Sequence, residues 1–427
     1  MNENVRTADH FIFDGCDTVE LAKKYGTPLY VISNTNILER CREIRDAFIN
    51  KYENTRAVYA SKAFLTQEMC RIMTREGLGL DVVSGGELYT AQKAGVPMGN
   101  IIFHGNNKSL DEIEMAVNYG VGRIVVDNHY ELEMINKIAE KHNKVMDILF
   151  RITPGIDSHT HKFISTGQLD SKFGIAIQEG ILRNHVKDAM NMPFVNLKGF
   201  HFHVGSQLSN NTSHLMALDI LLNLMKEMKD ELNFVTKEIN LGGGFGIRYT
   251  DEDERKELAY FMDPMMDKIY AKCKDYSLEI PQVIIEPGRL IIGEAGITLY
   301  TIGSIKEDPG IRTYVSVDGG MPDNPRPALY DAKYEAVVAN KFSQPRNMTA
   351  TISGKCCESG DILIWDLKVP NVEPGDILAV LSTGAYNYSM SSNYNKLPRP
   401  AIVMVEDGQD RLVMRRETYE DLLSREV

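Results

Sequence analysis

Seven groups of reactive or anion-binding residues follow directly on apolar runs in this sequence. They are Lys62; Asp81 with Ser84-Gly85-Gly86-Glu87; His104; Arg151; His203 with Gly205 and Ser206; Gly242 to Gly244; and Glu286 with Gly288 and Arg289. Singly they say little. A lone lysine is ordinarily a solvated surface residue, but Lys62 follows Val58-Tyr59-Ala60-Ser61 and precedes Ala63-Phe64, which predicts a buried strand mouth. A partly desolvated ammonium has a lowered pKa and can form a Schiff base. The glycine run ending at Gly246 offers backbone N–H groups to an anion such as phosphate, or else simply makes a tight strand-to-helix turn. Ser206 could add a hydroxyl donor to the same anion. His203 could lie flat on a cofactor ring, although a strand histidine is more often a satisfied core residue. Glu286 ends the run Val283-Ile284-Ile285, where a carboxylate is costly to bury unless it meets a cation. A protonated pyridine nitrogen would serve, and so would Arg289 or Arg151. His159-Thr160-His161 is too slight a signal for a metal site, and none is expected. Jointly, a desolvated lysine, a phosphate-binding loop, a stacking histidine and a buried acid describe a pyridoxal phosphate (PLP) site. The ring of that cofactor is an electron sink whose nitrogen an acid keeps protonated. Racemisation, decarboxylation and cofactor storage all remain open on this reading.

The apolar runs that carry these groups number eight. They begin near Arg56, Leu78, Asn100, Arg123, Val145, Leu197, Glu238 and Pro281, and helical patterns fill most of the intervals. Ser109 and Asn128 read as N-caps, Gly77 and Gly120 as C-terminal stops. Continuous rather than alternating apolar strands, separated by helices, predict a parallel sheet closed as a (β/α)8 barrel of the TIM type. An open doubly wound sheet would show a G-x-G-x-x-G at its first crossover, and there is none. From about residue 297 the runs shorten and are punctuated by Gly, Pro and Asn, which predicts an antiparallel β-barrel or sandwich domain. The strand-like segments at Phe11 and Pro28 are candidates to pair with it. The expected division is therefore a barrel over residues 36–296 and a β domain from 1–35 and 297–427.

Composition narrows the class without naming it. The 427 residues, 43% apolar and 25% charged, are ordinary globular usage. At roughly 100–200 residues per domain they imply two to four domains, or one large barrel with an addition. Lys and Arg number 47 against 59 Asp and Glu, a formal charge of −12, which argues against nucleic acid or an anionic membrane as partner. No apolar run is long enough to span a bilayer, and the N-terminus lacks the pattern of a secretory signal. Six cysteines without Cys-x-x-Cys spacing fit a reduced, cytoplasmic chain.

The blocks Tyr59-ASKAF, Gly79-LDVVSGGE, His201-FHVGSQ, Asn240-LGGGFG, Glu286-PGR, Cys357-ESGD and Gly384-AYNYSMSSNYN stand in an order that resembles the alanine-racemase-like, fold-type III PLP decarboxylases. The resemblance runs from about residue 10 to the end, and Arg326 and Tyr330 in Asn324-PRPALYD are similar to the diaminopimelate-specific branch. It implies decarboxylation of meso-diaminopimelate to L-lysine and CO2, the last step of lysine biosynthesis. The rivals are another basic amino acid or a carboxylated polyamine as substrate (ornithine, lysine, arginine, carboxynorspermidine), or a non-catalytic partner-binding relative.

It further implies that Lys62 carries PLP, His203 stacks on the ring, and Glu286 holds the ring nitrogen. Gly244, Ser206, Gly288 and Arg289, with Tyr386, would take the phosphate, and Asp81 and Arg151 would support Lys62 and the ring. Arg289, Arg326, Tyr330, Glu358 and Tyr386 would bind substrate and Cys357 would donate a proton, with Cys357 and Glu358 supplied by the other subunit of a homodimer. Phe64, Lys355-Cys356 and Asn387-Tyr388 depart from the commoner pattern of the family without removing any of these groups.

Overall fold

A computed structural model of the chain describes residues 9–156, 171–177 and 180–427. All eight anticipated runs form strands: Thr55–Ala60, Gly79–Val82, Ile101–Phe103, Arg123–Val126, Met146–Thr153, Val195–His201, Glu238–Asn240 and Gln282–Ile285. Each is parallel to the next, and the eighth returns to the first through Val283 opposite Thr55, so the sheet closes. The strands are buried on both faces, which is why they read as unbroken apolar runs. Val58, Ile102, Val125, Leu149 and Ile284, from five strands, form one core cluster.

The helices between them begin and end where the sequence indicates. Ser109 makes a reciprocal capping box with Glu112 ahead of Leu110–Tyr119, and Gly120 closes that helix in the left-handed conformation. The Asn128 side chain accepts from the Glu131 amide at the start of His129–Lys141.

The β-rich unit comprises residues up to 40, 248–254 and 291–427, the barrel unit 41–247 and 255–290. In the β-rich unit, strand Leu29–Ser33 lies between Gly296–Asp308 and Ala401–Glu406. Alternate residues Leu29, Val31, Ile297, Leu299, Ala401, Val403 and Val405 share one core, the period of two of a strand, while Tyr30, Ile32, Tyr300, Ile402 and Met404 on the opposite face are buried too. The segment at Phe11 does not join this sheet; Ile12–Phe13 pairs with Cys16–Asp17.

Two features differ from expectation. The sheet is mixed: Leu29–Ser33 runs parallel to Ala401–Glu406, and Arg312–Val317 parallel to Met348–Ser353. Neither pair is joined by a hairpin, so no tight turn forces the antiparallel sense. Residues 248–254 also leave the otherwise continuous barrel segment for the β-rich unit. There Ser382 Oγ donates to the Arg248 carbonyl, the Asp251 amide donates to Glu335, and Tyr249 stacks edge-on with Tyr334. No helix among the described residues is long and apolar enough to cross a membrane.

Candidate active site at the strand ends of the barrel

The first barrel strand passes into a single-turn 3₁₀ helix, Ser61–Ala63. Ser61 and Ala63 are fully buried, but Lys62 is exposed, contrary to the desolvated position expected for it. The apolar run anchors the turn through the buried residues on either side of the lysine. Its charge still acts on Asp81, Glu87 and His203. The loop carrying Glu286 packs onto this turn. A Cβ added to Gly288 would come within 2.9 Å of Ala60 Cβ and 3.2 Å of Ala63 Cβ, and the Ala60 amide donates to the Pro287 carbonyl. Glycine is what lets the two loops close on one another.

Glu286 is buried, and three side chains from three other strand ends converge on it. Asn240 Nδ2 donates to Oε1 at 2.6 Å. His104 Nε2 lies 2.7 Å from the same oxygen, a close polar contact without an aligned hydrogen bond. His201 Nε2 contacts Oε2 at 3.3 Å. Burial pushes the Glu286 carboxyl up, yet His104 and His201 together outweigh it and leave the group well below the usual carboxylate range. Burial drives the His201 ring down to about 3, so it is neutral and donates through Nε2. Asp81, 3.8 Å from His104, moves the other way, raised by burial and by the nearby Glu286 charge.

His203 follows the sixth strand, half-buried, with its Nδ1 accepting from the Gly243 amide at 3.3 Å. Burial, then the charges of Lys62 and Arg151, hold this ring well below its ordinary pKa. It is a neutral imidazole with a fixed tautomer. The glycine run serves close packing first: a Cβ on Gly243 would strike the Glu286 carbonyl, and one on Gly244 the Gly205 carbonyl. The amides of Gly242, Gly243 and Gly246 are spent on Asn240, His203 and Leu208. Gly244, at φ +93°, keeps an N–H with no acceptor among the described residues. Ser206 Oγ accepts from Arg289 Nη2 at 2.9 Å, so hydroxyl and guanidinium already form a pair.

Arg151, buried in the fifth strand, stacks its guanidinium 4.2 Å from the Phe173 ring centroid and lies 3.9 Å from Asp127. Behind Asp127 stands a group that motif reading missed. Lys108 is buried, donates to the carbonyls of Gly105 (2.8 Å) and Val125 (2.7 Å), and pairs with Glu131, whose other oxygen accepts from the Asp127 amide. The signal was a lysine one residue before an N-cap, indistinguishable in sequence from a solvated one. Lys108→Met should cost about 3–5 kcal/mol in denaturant unfolding, because Glu131 would be left buried and uncompensated.

The remaining expected site residues lie in the β-rich unit and are described within it. Arg326 opens the short helix Arg326–Tyr330. Its guanidinium is buried 4.9 Å from the Tyr249 ring and 5.5 Å from the Tyr334 ring, and donates to the Tyr334 hydroxyl. Tyr330 is half-buried, and Tyr386 takes a left-handed φ of +66°, a strained backbone for an aromatic residue. Cys357 and Glu358 are exposed, the former with its amide on Asn395 Oδ1 at 2.8 Å. His159 and His161 lie outside the described residues.

The barrel site fits PLP on three observations: an exposed lysine, a buried carboxylate kept anionic, and a glycine amide without an acceptor among the described residues. Residues 34–293 match the family described as "Pyridoxal-dependent decarboxylase, pyridoxal binding domain". The chain belongs to the pyridoxal-dependent decarboxylases. Among relatives in this family, diaminopimelate decarboxylase of Bacillus subtilis is 48% identical over 97% of this chain and 94% of its own length. That of Bacillus methanolicus is 50% identical over 97% and 96%. A diaminopimelate decarboxylase from M. jannaschii, solved in complex with L-lysine, superposes with a TM-score of 0.92 at 36% identity, covering 99% of this chain and 96% of that one. Membership gives Glu286 and Lys62 a shared context that neither spacing nor burial supplied.

Proposed function

We propose that this decarboxylase converts meso-2,6-diaminopimelate to L-lysine and CO2. The observation that carries the reading is near-full-length identity of about one half to relatives named for that reaction. When bound, PLP supplies the electron sink that makes loss of CO2 from an α-carbon feasible. Lys62 is its point of attachment. Glu286, held anionic, would keep a proton on the ring nitrogen, and His203 is the residue that would stack on the ring. Gly244, Ser206, Gly288 and Arg289, with Tyr386 as the family resemblance implies, would hold the phosphate, while Asp81 and Arg151 would balance charge around Lys62. Arg326 grips the distal carboxylate, since a guanidinium makes two parallel bonds to it. Arg289, Tyr330, Glu358 and Tyr386 complete substrate binding, and Cys357 returns the proton to the α-carbon. A diamine precursor such as ornithine offers Arg326 only an ammonium, which disfavours the other basic amino acids.

We assign the reaction to a homodimer in the cytoplasm, with no nucleic acid or membrane as partner. Six unpaired cysteines suit a reducing compartment, and a proton donor exposed on the single chain suits a residue supplied to a partner subunit. Mixing inactive Lys62→Ala with inactive Cys357→Ala chains should then restore activity, with one intact site formed per mixed dimer. No recovery despite demonstrated subunit exchange would remove the shared site. The substrate is tested by measuring CO2 release from meso- and L,L-diaminopimelate, lysine, ornithine and arginine. Release from the meso isomer alone is the expected result, and preferential turnover of ornithine, lysine or arginine would overturn the assignment.

A further inference from the structure

Glu286 is surrounded more completely than an acid needing one cationic partner would require. A carboxylate offers about four acceptor positions over its two oxygens. Oε1 accepts from Asn240 Nδ2 at 2.6 Å and has His104 Nε2 at 2.7 Å without an aligned hydrogen bond, and Oε2 faces His201 Nε2 at 3.3 Å. Among the described residues, one position on Oε2 remains. Asn240 cannot turn away, because its Oδ1 accepts from the Gly242 amide at 3.0 Å. The two imidazoles brace one another, ring centroids 4.8 Å apart at 70°. His104 also stands 3.8 Å from Asp81, and so lies between the two buried acids of the site.

We propose that His104 and His201 are positioning residues that clamp Glu286, one on each carboxylate oxygen, and leave a single fixed lone pair on Oε2 for the cofactor's ring nitrogen. The inference rests on the reading of Glu286 as partner of that nitrogen. Two properties follow from the clamp. The carboxylate stays charged though buried, because a buried anion persists only where polar groups surround it. Its plane is also fixed before the cofactor arrives, so no side-chain freedom is lost on binding. His201 Nδ1 is buried without a hydrogen-bond partner. A histidine kept merely for packing would gain by exchanging that polar atom for carbon, whereas a histidine kept for its Nε2–H must carry it.

The same three residues bring their ligand atoms within 4.8 Å of one another, a grouping that could also hold a metal ion. The decisive measurements are PLP affinity by equilibrium dialysis and the pH titration of the bound cofactor's absorption band. They would be made on wild-type, Glu286→Gln, His104→Phe and His201→Phe proteins, and on each Phe variant combined with Glu286→Gln. Phenylalanine keeps a ring and removes the Nε2 contact; His104→Gln and His201→Gln give a polar N–H back. Each Phe variant should weaken PLP binding about tenfold, the worth of one close polar contact to a charged group, and shift the absorption titration to lower pH. The Gln variants should recover part of both effects. In the Glu286→Gln background the Phe changes should alter affinity less than about twofold, because the group they act through is gone. Should a Phe variant fail to fold, the Leu variant at that position replaces it.

If Glu286→Gln impairs cofactor binding and both Phe variants leave affinity and titration at wild-type values, the clamp is wrong and the reading of Glu286 stands. If Glu286→Gln itself changes neither quantity, that reading is what fails. Stoichiometric zinc binding to PLP-free wild-type protein, competing with PLP and lost in the Phe variants, would make the triad a metal site and overturn the clamp.

Discussion

Lys62→Ala protein should fold, take up PLP weakly, and lose the cofactor on dialysis after borohydride treatment. The wild type should instead be yellow, bleach with borohydride, and retain the cofactor covalently. Turnover should drop by roughly 10³ or more, since covalent attachment is what holds the reacting group in register. Lys62 lies on a one-turn segment whose neighbours Ser61 and Ala63 are buried, while the lysine itself is exposed. Because the lysine is exposed, the cofactor-free variant should keep the fold. A Lys62→Ala protein that keeps the cofactor through denaturation after reduction would place the attachment elsewhere.

The second large effect is expected at Arg326. Arg326→Ala should lower kcat/KM for diaminopimelate by roughly 10²–10³, the range for truncating one partner of a buried charge pair. Arg326→Lys should fall between the two, because an ammonium cannot make the bidentate contact. Steady-state kinetics decide it, and wild-type activity in the alanine variant would show that this arginine does not bind the distal carboxylate. The rings of Tyr249 and Tyr334 hold the guanidinium plane from within the same unit. The excursion of residues 248–254 into the β-rich unit thus has a use: it delivers Tyr249 to Arg326.

How much of this was legible in advance divides along physical lines. The eight barrel strands could be read because a parallel strand buried on both faces has nothing polar to interrupt it until its end, and the ends are where the reactive residues stand. Ser109, Asn128 and Gly120 announced their roles because caps depend on side chains a few positions away. The parallel pairing of Leu29–Ser33 with Ala401–Glu406 could not be read, since nothing local in either segment records the sense of a partner more than 360 residues away. The exposure of Lys62 was misjudged because neighbours in sequence report the burial of a backbone, not the direction of a long side chain. The convergence of His104, His201 and Asn240 on Glu286 went unseen for a related reason. Each ends a different strand, and only closure of the sheet makes them neighbours.

The contact of Gly288 with Ala60 and Ala63 has a consequence for biosynthesis. It joins the first barrel strand to the last, so the lysine and the acid of one site are encoded more than 220 residues apart and meet only when the ring is complete. A chain still emerging from the ribosome cannot assemble this pocket until its eighth strand has been made, and pairings of such long range form late and slowly. Cofactor capture is therefore a clock for barrel closure. In refolding, the appearance of yellow colour should trail the return of helical signal, and nascent chains stopped before Glu286 should remain colourless.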